Sequence, residues 1–368
     1  SAAAAARQGE PGVLAQALQA SRNDTLATFA ACERALPGLA VPQRADLNPP
    51  LWELGHIGWF QEFWVARNPL RHAGSRADPL APRGPSLRAD ADRLYNSSEV
   101  PHDSRWTLPL PDAGRTRDEL AGQLERTLDL LRATAAQGHD DGALYFFRLV
   151  LLHEDMHHEA ALYMSRALGI PSEDPRWQPA RLPDPPPALA LQAGPWRLGS
   201  RPENGFAFDN ELAAHEIDVG ATSIDAQVLR WEEYLPFVES GAWAQDRWWA
   251  GAGLAWRPSR DRSGAPRYLR RAGAHWEYWL GGQWRTLRRD EAACHLSWHE
   301  AQAWCRWAGR RLPTEAEWER AALARPDAFR WGDVWEWTAS PFAPYPGFEP
   351  HPYRDYSAPW FDGRPVLR

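Results

Sequence analysis

Residues 141–169, DGALYFFRLVLLHEDMHHEAALYMSRALG, constrain the fold more than any other stretch. Apolar residues recur at helical spacing along its whole length, and Gly169 ends the run. At 3.6 residues per turn, Phe146, Leu149, Val150, Met156, Ala160 and Met164 share one broad face with His153 and His157. Such a helix must bury that face against other helices, and two imidazoles go in with it. Glu154 and His158 fall round the side and read as a solvated i,i+4 pair. Glu159 falls on the flank, where it is expected to orient a ligand histidine through its other ring nitrogen.

Three further segments supply the packing partners. GVLAQALQASRNDTLATFAACERAL is amphipathic at helical spacing. NPPLWELGHIGWFQEFWVARNP opens on Asn-Pro-Pro, a helix start, and closes before Pro69. TRDELAGQLERTLDLLRATAAQG is ended by Gly138. Four long helices with one long connection, roughly residues 70–114, predict a four-helix bundle over residues 10–172.

The second helix repeats the polar pattern: His56 shares a face with Trp52, Trp59, Phe60 and Phe63. A lone inward histidine is commonly a hydrogen-bonded core residue. His-x3-His on one inward face, with a third histidine on a facing helix, instead suggests a metal ion that takes a lone pair from each neutral ring. Three imidazoles leave coordination positions open, as a catalytic metal requires; zinc, iron(II), nickel and copper all accept such a set. The other histidines show no paired spacing, and most read as surface or loop.

Beyond the helices the texture changes. Residues 173–194 are rich in proline and read as a linker. Residues 195–368 carry short Trp- and Gly-studded segments such as WRLGS, HEIDV and HWEYWLGGQWRTL. Only two helices are signalled there, by capping boxes at Ser297/Glu300 and Thr314/Glu317. The tail from Trp335 reads mostly as loop. The whole is therefore an α domain followed by an α+β domain.

A net charge of −7 without a Lys/Arg run gives no footprint for nucleic acid or an anionic membrane. No apolar run approaches the roughly 18 residues of a membrane span, and the first residues lack the pattern of a signal peptide. Three badly spaced cysteines argue against a disulfide framework and lead us to expect a reducing, cytoplasmic setting. Oligomeric state is not encoded in any pattern found.

At the histidines a resemblance becomes specific. LLHEDMHHEA resembles the His-x3-His-x-Glu signature of the iron-dependent sulfoxide synthases of ergothioneine biosynthesis, and LWELGHIGWFQEFWV is similar to their upstream ligand helix. RLPTEAEWERAA, FRWGDVWEWTASPFAPYPGF and YSAPWFDGRPVLR are similar to their second domain, which has the formylglycine-generating-enzyme fold related to C-type lectins. The first domain resembles a DinB-type four-helix bundle. The resemblance implies Fe(II) held by His56, His153 and His157, O2 as co-substrate, and a chalcogen atom joined to C2 of the imidazole of hercynine. It also implies a tyrosine from the tail loop as proton or electron source: Tyr353 or Tyr356, with Tyr345 behind them.

Two departures bear on the substrates. Met156 stands where many relatives have Gln near the hercynine ring. Relatives that use gamma-glutamylcysteine carry two arginines three apart; here Arg105 is followed by Leu108, which cannot clamp a carboxylate. VPHDSRWTLPLP resembles the branch of the family that forms selenoneine from a selenosugar, a neutral donor needing no second arginine. The alternatives are a sulfur enzyme joining hercynine to cysteine or another thiol, a zinc-loaded DinB-type thiol S-transferase, and a lectin-like binding module without redox chemistry.

Overall fold

The computed structural model describes residues 6–260 and 264–368. It divides into two compact units. The first comprises the chain up to Glu173 together with Ser200–Leu212 and Phe348–Pro359; the second comprises Asp174–Gly199, Ala213–Gly347 and Trp360–Arg368.

The first unit is helical. Its elements are α1 (Pro11–Ala35), α2 (Pro50–Gln61), the short α3 (Ala91–Tyr95), α4 (Ala113–Ala136) and α5 (Asp141–Leu168). Local chemistry sets their ends. Proline occupies the first turn of α1 and α2, where its missing N–H leaves nothing unsatisfied. Asp112 caps α4 by accepting from the Arg115 amide, and Asp140 caps α5 by accepting from the Ala143 amide. Gly169 closes α5 in the left-handed conformation, with φ 74°. α2 runs on into a π-helical turn, Glu62–Ala66, whose Glu62 carboxylate accepts from Ser86 and from the Leu87 amide. α1 packs along α5, and α2 packs on both α4 and α5. The core is aromatic, with Trp52, Phe60, Phe146 and Phe147 fully buried.

The second unit is built from small antiparallel pieces. β1 (Leu189–Leu191) pairs with β4 (Thr222–Ile224), and β2 (Gly194–Leu198) with β3 (His215–Val219). β5 (Leu269–Ala272), β6 (His275–Leu280) and β7 (Gln283–Thr286) form a meander. Gly281 and Gly282 both take positive φ between β6 and β7, as a two-residue hairpin turn requires. The helices are α6 (Trp231–Glu239), α7 (Ala252–Arg260), α8 (Trp298–Trp307) and α9 (Glu315–Ala324). α8 and α9 open with the two capping boxes expected from the sequence, each Ser or Thr oxygen accepting from the N3 amide. The buried core is again aromatic, around Tyr234, Phe237, Trp243 and Trp304.

Three sequence expectations change here. The Pro-rich stretch contains β1, a strand of three residues, too short for alternation to reveal. The tail contains β8 (Trp337–Pro341) and β9 (Pro365–Leu367), which pair with each other. Residues 200–212 and 348–359 group with the helices, not with their sequence neighbours. Phe206 and Phe208 accordingly belong to the aromatic core of the helical unit, and Tyr353 and Tyr356 pack against it. No helix among the described residues is long and apolar enough to cross a membrane.

Candidate metal centre

α2 brings His56, and α5 brings His153 and His157, to one place. The ring centroids lie 5.1 Å (His56–His153), 4.7 Å (His56–His157) and 4.4 Å (His153–His157) apart. One nitrogen from each lies within 4.8 Å of the others, and no other such group of His, Cys, Asp or Glu occurs among the described residues. His56 and His153 are each 2% exposed. Aromatic rings wall the cluster: Trp52 stacks on His56 at 4.8 Å, and Phe60 stacks on His153 at 3.4 Å.

Two of the rings are oriented by acceptors. His56 Nδ1 donates to the Tyr95 carbonyl at 2.8 Å. His157 Nδ1 donates to Glu53 Oε2 at 2.6 Å. Each bond places the proton on Nδ1 and leaves the Nε2 lone pair available, the usual preparation of a metal-binding imidazole. His153 differs: both its nitrogens are buried and neither has a hydrogen-bond partner among the described residues. Leaving such groups unsatisfied costs about 1–3 kcal/mol each, so the arrangement calls for a ligand that supplies the missing interaction. A cation accepting lone pairs from all three rings fits this site.

Electrostatics favour neutral rings at His56 and His153. Burial first, and then the neighbouring His157, push His56 down to about 3. Burial and the two adjacent imidazoles push His153 well below the ordinary histidine range. For Glu53, burial works to raise the pKa, but the bonded His157 outweighs it and the carboxyl is held below its usual range.

The remaining expected site residues divide. Tyr353 stands close: its ring is 4.9 Å from Phe60 and 6.2 Å from His153, and burial pushes its phenol up to about 12. Tyr356 sits behind it, 6.1 Å away and stacked on Phe208 at 3.8 Å. Tyr345 belongs to the second unit, where it donates to Glu315. Arg105 lies 3.8 Å over the Trp52 ring and donates to Asn48, and so stands one ring away from His56. Met156 is half-buried against the helical core, as is Leu108.

Two expectations are corrected. Glu154 and His158 are not a solvated pair: both are buried, because α1 covers the face of α5 that periodicity left outside. Glu154 forms a bidentate ion pair with Arg22, and His158 bonds to Thr28. Glu159 is exposed, and the carboxylate at His157 belongs to Glu53. Sequence reasoning missed Glu53, although an acid inside the apolar run Trp52–Leu54 was a usable signal. It also missed the Tyr95 carbonyl, which no side-chain pattern marks.

Comparison with known proteins agrees with both units. Residues 17–161 match the DinB superfamily, and residues 175–333 match the sulfatase-modifying factor enzyme 1-like domain. The chain is 31% identical over 367 residues to the hercynine oxygenase of Mycolicibacterium thermoresistibile, covering 86% of this chain and 78% of that protein. It is 31% identical over 376 residues to the hercynine oxygenase of Mycobacterium tuberculosis, covering 86% and 82%. The formylglycine-generating enzyme of Streptomyces coelicolor is 31% identical over 157 residues, covering 39% of this chain and 50% of that protein.

Proposed function

This chain belongs to the hercynine oxygenase family, and from that premise we propose that it is an iron- and O2-dependent enzyme joining a chalcogen atom to C2 of hercynine's imidazole. The observation that carries the metal assignment is His153, an imidazole buried with both nitrogens unpartnered between two histidines already oriented by acceptors. His56, His153 and His157 would hold the iron, which would supply one-electron chemistry toward O2.

The chain's own groups do the rest. Glu53 and the Tyr95 carbonyl hold their histidines in one tautomer and one orientation. Trp52, Trp59 and Phe60 shield the cluster from water. Tyr353 keeps its phenolic proton at neutral pH, all the more because burial raises its pKa, and its ring 6.2 Å from that of His153 makes it the proton source for turnover. Hercynine's trimethylammonium group cannot donate hydrogen bonds and is best met by aromatic faces.

For the donor we assign a selenosugar, giving selenoneine. The support is Leu108, an apolar side chain packed against the helical core where a second carboxylate-binding arginine would be needed. A second reading, C–S bond formation with cysteine or another thiol, is favoured by Arg105, whose buried Nε has no partner among the described residues and whose guanidinium can meet one carboxylate. The test is anaerobic incubation with Fe(II), hercynine and each donor in turn, then exposure to air and mass spectrometry. A hercynine-derived product with the selenium isotope pattern is expected. Efficient formation of a sulfoxide from a thiol, with none from the selenosugar, transfers the assignment to sulfur. No oxygen uptake with any donor would overturn the oxygenase reading.

A further inference from the structure

Resting on the proposed role of Tyr353, we propose that Asp209 is a positioning residue whose buried carboxylate fastens the tyrosine-bearing segment beside the histidines. Tyr353 lies on Phe348–Pro359, whose regular structure is limited to the 3-10 turn Arg354–Tyr356 and the start of another, Ala358–Trp360. A segment without a ladder of backbone bonds is held by its side chains or not at all. Asp209, 3% exposed, does this from one carboxylate. Its Oδ1 accepts from Ser357 Oγ at 2.6 Å, and its Oδ2 accepts from the His351 amide at 3.1 Å. The two donors bracket Tyr353 and Tyr356 in sequence, and Ser357 is wholly buried.

The carboxylate is itself firmly seated. Asp209 opens a 3-10 turn, Asp209–Glu211, and its Oδ1 also accepts from the Asn210 amide. Glu211 caps the same turn by accepting from the Phe208 amide and pairs with Arg7. The Phe206 amide donates to the Arg7 carbonyl at 2.9 Å. Gly205, with φ 92°, allows that approach, since a Cβ there would lie 2.4 Å from the Arg7 oxygen. Asp209 forms no ion pair among the described residues; three neutral donors alone satisfy it. A buried carboxylate without a cation is a costly way to fill space, but hydrogen bonds to a charged acceptor are about twice as strong as neutral ones. That suits a group whose task is to hold a loop. The Tyr145–His351 bond and the Phe208–Tyr356 stack act at the same two points.

The test compares Asp209→Asn, Ser357→Ala and Tyr353→Phe with the wild-type, iron-loaded protein. In Asp209→Asn, amide exchange across 348–359 should accelerate about ten- to a hundredfold, with a smaller acceleration in Ser357→Ala. Iron content should stay at the wild-type level, because the histidines lie on α2 and α5. The kcat should fall while KM for hercynine is unchanged. Wild-type exchange across 348–359 in both variants overturns the fastening role. Faster exchange with an unaltered kcat keeps that role and overturns its link to catalysis, as a fully active Tyr353→Phe does for the tyrosine itself. Should exchange rise in α2 and α5 as well, Asp209→Asn has loosened the fold, and Ser357→Ala, which removes a single bond, decides.

Discussion

Replacing Glu154 by alanine tests the most heavily buried charge pair in the helical unit. Arg22 and Glu154 side chains are 3% and 2% exposed, and they meet at 2.7 Å and 3.1 Å. Two unit charges about 4 Å apart at an effective dielectric constant of about 20 attract by about 4 kcal/mol. Removing the carboxylate forfeits that attraction and leaves a guanidinium in a site closed to water. Gln61 Oε1 at 2.7 Å and the Leu120 carbonyl at 2.8 Å still accept from Arg22 and offset part of the loss. The expected cost is about 3–5 kcal/mol for Glu154→Ala. For Glu154→Gln, which keeps one acceptor oxygen, it is about 2–3 kcal/mol. Against a typical total of 5–15 kcal/mol, either is large. Urea unfolding followed by far-UV circular dichroism reads the helical transition directly. The double variant Arg22→Met/Glu154→Leu removes both charges and should recover most of the stability, since well-packed apolar replacements of buried pairs are often neutral. A loss under about 1 kcal/mol in both Glu154 variants would refute the reasoning, because a pair worth so little is one still open to water.

Other outcomes follow from single contacts. Glu53→Gln should weaken iron binding about ten- to a hundredfold, as loss of a carboxylate behind a ligand histidine typically does, read by competition with a chelator. Gly55→Ala would place a Cβ 2.3 Å from the Tyr95 ring. It should cost about 1–3 kcal/mol and also disturb the Tyr95 carbonyl that orients His56, seen as a lower melting temperature together with lower iron content. Leu108→Arg puts a charge against the helical core. It should weaken use of the native donor without creating efficient use of gamma-glutamylcysteine, measured as kcat/KM for each. A wild-type protein that already prefers the dipeptide would remove the selenosugar assignment.

The helices of the first unit were legible in the sequence because their signals are local. Apolar residues at helical spacing, proline at the starts and Gly169 at the end of α5 act within a few residues of one another. The same periodicity placed His153 and His157 on one face and His56 on another inward face, and the structure brings those three rings together. The capping boxes of α8 and α9 were equally readable, being three-residue devices. Periodicity says which residues share a helix face; it does not say how many faces are covered. α5 is packed on by α1 as well as by α2, so Glu154 and His158, polar and apparently outward, lie buried with partners more than a hundred residues away in sequence. The Tyr95 carbonyl behind His56 comes from a connection that reads only as loop. Residues 200–212 and 348–359 group with the helical unit and bond to each other through Asp209, a single carboxylate that accepts from two donors more than a hundred residues distant. Helix formation and capping depend on neighbours in the chain, so the sequence alone determines the four helices and their three inward histidines. Charge burial, histidine orientation and the seating of Tyr353 depend on which distant groups packing brings within hydrogen-bond reach, and only the tertiary structure decides those.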